Sequence, residues 1–270
     1  MIKNFDYTFL DIIKSYKKIG LKKNQSIYVS SDLSKLGKYE KKTKNGLLSD
    51  HLKALKTIVG KKGNIFVPTA SLNLCNTDKV FDLKKTPSYQ MGILSEFLRK
   101  KKNSHRSLHP FWSVSGIGID VKNFLSKISP HSHASGSVWE KFVQNNVIAL
   151  NIGIKPNHAI PLVHHVETIV GVPYRYNKEF IQKIGSKKIE RKFYLPSLFL
   201  RSKIKRDKNV KIFNNFKKQG GIIKKCKLGN DYVYSLSQKH FFEITKLYLQ
   251  ENIYAWTKYE PRVKPFNKIL

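Results

Sequence analysis

Residues 145–153, NNVIALNIG, form an apolar run of strand length with no polar alternation inside it. A half-buried strand alternates polar and apolar positions, whereas a strand covered on both faces reads as continuously hydrophobic. Such a strand needs helices on each side, and the flanking sequence supplies them. Phe9, Ile12, Ile13, Tyr16 and Ile19 share one helical stripe over residues 6–19, which Gly20 ends. SIYVSS (26–31) reads as a strand, GLLSDHLKALKTIVG (46–60) as an amphipathic helix, and NIFVPT (64–69) as a second strand. MGILSEFLRK (91–100) predicts a helix, FWSVSGIG (111–118) a strand, and residues from about Ala159 to Val170 another helix. This alternation predicts a layered α/β domain. Beyond residue 176 the pattern loosens. GGIIKKCKLGNDYVYSL (220–236) reads as a hairpin and SQKHFFEITKLYLQE (237–251) as a closing amphipathic helix.

Charge narrows the function. The chain carries 51 basic against 18 acidic residues, a net charge of +33, and such a field attracts polyanions. Only seven of the basic residues are arginine, the side chain favoured for bidentate phosphate and base contacts. The lysines are spread along the whole length without an RNA- or DNA-binding motif, so nucleic acid is not read as the main partner. No run of 18 apolar residues spans a membrane, and the first residues lack a secretory h-region. Cys75 and Cys226 make no disulfide framework, which fits a reducing cytoplasm.

Most nucleophile and phosphate-loop motifs are missing: GIGID lacks the third glycine of a dinucleotide fingerprint, and there is no Walker A loop or G-x-S-x-G elbow. The histidines of PHSHAS (130–135) and HH (164–165) match no zinc spacing, so no metal is expected, although a metal-dependent hydrolase built on them is an alternative. PLVHHVETIVGVPYR (161–175) places three titratable groups in an apolar segment. On a helix, residues three apart lie about 60° apart around the axis, which makes His164 and Glu167 neighbours, while His165 and Glu167 are about 200° apart. A carboxylate on one imidazole nitrogen leaves the other as a proton acceptor. Spacing alone leaves two readings open, a catalytic pair and an inert buried ion pair.

Neighbouring loops favour catalysis. YVSSDLSKLG (28–37), FDLKKTPSYQMG (81–92) and RSLHPFWSVSGIG (106–118) gather small hydroxyl residues at element ends, where α/β sheets collect ligands. With FVPT (66–69), SGSV (135–138), HHVE (164–167) and VPYR (172–175), these segments follow in order the motifs of the aminoglycoside 3-N-acetyltransferases, which the chain resembles from residue 1 to about 176. The resemblance implies a layered α/β/α sandwich with a C-terminal extension: an acetyl-CoA-binding catalytic core at 1–175 and a segment at 176–270 completing the acceptor site, within one structural domain. It implies acetyl-CoA as co-substrate, His164 as general base and Glu167 as its partner. The positions matching the family's cofactor loops are Ser30, Ser31, Arg106, Ser107, His109 and Ser113. Oligomeric state is left open between monomer and homodimer.

Two family positions differ, Ser30 standing for a histidine and Val138 for a proline. A larger departure follows VPYR. Family members acting on aminoglycosides carry carboxylates shortly downstream, whereas KKIERKFYLPSLFL (187–200) has only Glu190. A protein of +33 with no acidic cleft disfavours a polycationic drug. The expected acceptor is therefore an amine on an amino sugar, carried on a nucleotide diphosphate. The alternatives are an antibiotic-resistance acetyltransferase of the same family and a non-enzymatic polyanion-binding protein.

Overall fold

The computed structural model describes residues 5–198, 204–205 and 210–258. Its centre is β1 (Ile27–Ser31), flanked in parallel by β2 (Asn64–Pro68) and β5 (Ile148–Ile152). The sheet continues beyond β2 through antiparallel β4 (Val114–Gly118) to the two-residue edge strand β3 (His105–Arg106). Beyond β5 it adds β9 (Asp231–Ser237) and β8 (Lys224–Leu228), giving the order β3-β4-β2-β1-β5-β9-β8.

Side chains alternate across this sheet. Ile27, Val29, Ile65, Val67, Leu150 and Ile152 face α1 (Phe9–Lys18), α2 (Lys44–Val59) and α3 (Ile93–Arg99). Tyr28, Phe66 and Ala149 face the opposite layer. That layer comprises the short α4 (Val121–Phe124), α5 (Val138–Gln144), α7 (Leu162–Val170), α8 (Val210–Lys218) and α9 (Gln238–Glu251). The result is three layers, α/β/α. The run at 145–153 is apolar throughout because β5 buries residues into both layers, Ala149 on one side and Leu150 on the other.

Some boundaries differ from the sequence reading. The helix expected over 159–170 is two pieces, α6 (Pro156–Ala159) and α7, separated by Ile160 at φ −117° and ψ 92°. Pro161 imposes this break, since the residue before a proline is pushed out of the α region. The strand expected at 111–118 starts only at Val114, because His109–Trp112 make a turn, Trp112 N donating to His109 O. Gly118, read as part of an incomplete nucleotide loop, has φ +149°, and a Cβ there would lie 2.3 Å from Asn64 Oδ1. Its role is close backbone approach. Val138 occupies the first position of α5 after the N-cap Ser137, a place open to proline as well as to other residues.

Two features of the C-terminal third stand out. The expected hairpin, β8–β9, extends the main sheet through β9 pairing with β5, Leu150 opposite Ser235. Residues 175–198, which carried no clear periodicity, form a long ribbon of β6 (Arg175–Ile184) and β7 (Ile189–Leu198). Phe193 and Leu195 of β7 bury against Leu74, Phe81 and Phe111, so the ribbon seals the loops beyond β2 and before β4.

Candidate active site

The three parallel strands point their C-terminal ends at one cleft of about 530 Å³. Ser30 and Ser31 from β1, Pro68 from β2 and Ile154 just after β5 line it. Met91 and Gly92 before α3, Trp112 before β4 and Pro161 at the start of α7 complete the walls. Gly92 has φ +86°, and a Cβ would stand 2.7 Å from Ser31 O, so the TPSYQMG loop lies directly on the end of β1. Parallel strand ends are where such a fold exposes unpaired backbone groups to a ligand.

Beside the cleft, α7 presents the histidine pair. His164 Nδ1 lies 3.1 Å from Glu167 Oε2, and the His164 side chain is 24% exposed. The carboxylate accepts from Nδ1–H, leaving Nε2 as the basic nitrogen. The His164 ring stands edge-on to Trp112 at 6.1 Å, and Trp112 also walls the cleft. His165 turns the other way: its Nδ1–H donates to His133 O at 2.6 Å and its ring stacks on Phe242. Helical geometry thus separates the two as the spacing predicts.

Glu167 is fully buried and holds more than His164. Arg175 Nε donates to Oε2 at 2.6 Å, and the Tyr174 hydroxyl donates to Oε1 at 3.2 Å. Arg175 in turn donates to Pro196 O at 2.9 Å, which ties the base of β6 to β7. Glu167 therefore sits in one network, with an ion pair to Arg175 and a hydrogen bond to His164. Sequence reasoning passed over Tyr174 and Arg175 as partners. The signal was available: a buried carboxylate demands a cation, and VPYR begins five residues after Glu167.

His133 packs behind His164, fully buried, with its ring stacked on Trp139 and edge-on to His164 at 5.3 Å. Burial, and next the charges of His164 and His109, hold it well below the ordinary histidine value of 6.5. It is a neutral imidazole with Nδ1 on Ser132 Oγ at 2.7 Å. Among the described residues, no group of three or more His, Cys, Asp or Glu is placed to hold a metal ion. Burial raises the Cys75 thiol to about 11, which disfavours the thiolate.

The cofactor-loop positions divide. Ser30 and Ser31 line the cleft. Arg106, Ser107, His109 and Ser113 instead bind one another's loops. Arg106 Nε donates to Ser113 Oγ at 2.9 Å, and its terminal nitrogens donate to Thr86 O, Thr69 O and Ser71 Oγ. Ser113 Oγ donates to Thr69 O, Ser107 Oγ accepts from Val114 N, and His109 bridges Pro130 O and Trp112 N. Burial lowers Arg106 to about 9 and His109 to about 3. Arginine and hydroxyls in RSLHPFWSV therefore act as a clamp that fixes the cleft wall and Trp112.

A sequence profile of the aminoglycoside 3-N-acetyltransferases matches residues 28–250. The chain belongs to that family. It is accordingly an acetyltransferase of the aminoglycoside 3-N-acetyltransferase family. Solved structures agree on the fold. Aminoglycoside acetyltransferase AAC(3)-Xa superposes with TM-score 0.77 at 18% identity, covering 90% of this chain and 93% of that one. AAC-IIIb, solved as a binary complex with CoASH, gives 0.76 at 17% identity over 94% and 99%. The YokD protein from Bacillus subtilis gives 0.76 at 19% identity over 93% and 96%. No curated protein matches by sequence. The matched span extends past residue 176 and takes in the ribbon and β8–β9.

Proposed function

We propose that this acetyltransferase moves the acetyl group of acetyl-CoA directly onto an amine of an amino sugar, with His164 as general base. The observation that carries the reading is the His164–Glu167–Arg175 network beside the strand-end cleft. A related structure, AAC-IIIb, was solved with CoASH, which supports acetyl-CoA as the donor that the cleft takes. Ser30 and Ser31 are the cleft hydroxyls suited to its polar groups, and the thioester supplies an activated acyl carbon.

His164 Nε2 accepts the proton that the acceptor nitrogen loses as it bonds to the acyl carbon. The carbon–sulfur bond then breaks, and the proton passes from the imidazolium to the leaving sulfur. Glu167 keeps Nδ1 protonated and supports the imidazolium, while Arg175 and Tyr174 hold Glu167 in place. His165, bonded to His133 O, is scaffold.

The acceptor reading rests on charge. Of the carboxylates near the site, Glu167 is taken by Arg175, Asp32 faces Lys35, and Glu179 on the ribbon is held by Lys192 and Tyr194. Glu190 sits near the ribbon tip, opposite Lys183. Asp32 is the one carboxylate among the residues lining the cleft, and a single charge facing Lys35 is little to receive a polycation, which favours an amino sugar on a nucleotide diphosphate. Relatives bind drugs of the other kind, AAC-VIa having been solved with sisomicin. The test measures CoA thiol release against aminoglycosides and nucleotide-linked amino sugars, with His164→Ala and His165→Ala as companions. Turnover of the sugars, abolished in His164→Ala and retained in His165→Ala, is expected. Turnover confined to aminoglycosides refutes the acceptor, and a fully active His164→Ala refutes the base.

A further inference from the structure

A second cavity, of about 790 Å³, opens beside the edge strand β3; it shares no lining residue with the strand-end cleft, and Arg106 of the clamp stands on its wall. Lys84, Lys101, Lys102, Lys122, Lys127 and Arg191 surround it. Among the described residues none of these six lies within ion-pair distance of a carboxylate, and no Asp or Glu lines the cavity. Arg99 and Lys100, also on its wall, already share Glu96. Lys101 Nζ lies over the Phe97 ring, while the other five charges around one concavity repel one another and focus the field there, and a bound polyanion relieves the repulsion. The interior wall is apolar, with Leu108, Leu125 and Ile128. Ser104 contributes a hydroxyl without a hydrogen-bond partner among the described residues.

Cations at the rim and an apolar wall describe a ligand with a phosphate-rich part and a flat organic part. The volume falls within the roughly 300–1,000 Å³ of small-molecule pockets, larger than inorganic phosphate needs. We infer that this cavity is a binding site for a nucleoside diphosphate, distinct from the acetyl-CoA cleft. Lysines pair with the phosphates as point charges, and Arg191 adds a planar fork. Its place in the fold gives it a use. β7 supplies Arg191 to the cavity and, five residues on, Pro196 O to Arg175 of the His164 network. Five strand residues span roughly 17 Å, comparable to the length of a nucleotide carrying a sugar. The cavity therefore anchors the nucleotide of the acceptor, an assignment of use that rests on the acceptor reading above, whereas the binding itself does not.

The experiment titrates UDP into the full chain by calorimetry at low salt, with and without saturating acetyl-CoA. Lys102→Glu/Lys127→Glu reverses two exposed rim charges. Lys217→Glu/Lys218→Glu, on the exposed last turn of α8, makes the same change in net charge elsewhere. UDP is expected to bind the wild type, His164→Ala and the control pair alike, and acetyl-CoA not to displace it. In the rim pair the dissociation constant is expected to rise at least tenfold. That pair should also raise KM for a nucleotide-linked amino sugar but not for the free sugar. Absence of UDP binding, an equal loss in both charge-reversed pairs, or displacement by acetyl-CoA overturns the site, as does binding of an RNA oligomer but not UDP. UDP binding without turnover of any amino sugar leaves the site standing and refutes the acceptor instead.

Discussion

Removing the Glu167 carboxylate separates its two roles. Glu167 is fully buried and the Arg175 side chain is 9% exposed, with 2.6 Å between Nε and Oε2. Glu167→Ala leaves a buried guanidinium without that counter-charge, and breaking such a pair costs about 3–5 kcal/mol. For a domain of this size each kcal/mol lowers Tm by about 2–4 °C, so the drop should be about 6–20 °C. Glu167→Leu/Arg175→Met replaces the pair with apolar side chains of similar bulk and should recover most of that loss, because buried pairs exchange for well-packed apolar groups at little net cost. Activity should not recover, since His164 still lacks its orienting acceptor; a loss of 10²-fold or more in kcat is expected in both variants. The assays are thermal melts in parallel with thiol release. A single variant losing under about 1 kcal/mol refutes the buried-pair energetics. A double variant that regains stability and activity together refutes Glu167 as the partner of His164.

Two further outcomes follow from burial. Arg106→Met should lower stability by about 3 kcal/mol, because it strands carbonyls and hydroxyls that the guanidinium now satisfies, while KM for acetyl-CoA changes little. A stable variant with KM raised tenfold would instead make Arg106 a ligand contact. Burial lowers His51 and His109 to about 3 and His133 well below 6.5. A depressed folded value means that the unfolded chain binds more protons below 6.5, so stability is complete above that pH and falls as the pH drops toward 3. Summed over the three, about 4 kcal/mol should be lost between pH 7 and 5.5, measured by urea melts; a flat profile over that range contradicts the neutral buried imidazoles.

The layered architecture was legible because period and length are local properties of a chain. Ile27, Val29 and Tyr28 alternate within five residues, and the run at 145–153 announces a strand covered on both faces. The pairing of His164 with Glu167 was equally local, a consequence of helical pitch. The ribbon at 175–198 was not legible, because only Phe193 and Leu195 of β7 are buried, against the distant Leu74, Phe81 and Phe111, and most of its length is solvated.

By itself the sequence determined the layers, the facing of His164 toward Glu167, and a net charge of +33. Tertiary structure decided which partners those groups meet. It brought Arg175 from beyond the end of α7 onto Glu167, so that a carboxylate that spacing could assign only to His164 also anchors an ion pair. It turned Arg106 inward, since the carbonyls of Thr69 and Thr86 converge on it only once their loops are folded together. It also gathered lysines from positions 84, 101, 102, 122 and 127 around one cavity. Helical pitch acts over a few residues and can be read along the chain, whereas charge convergence and buried-partner satisfaction depend on distances between segments far apart in sequence.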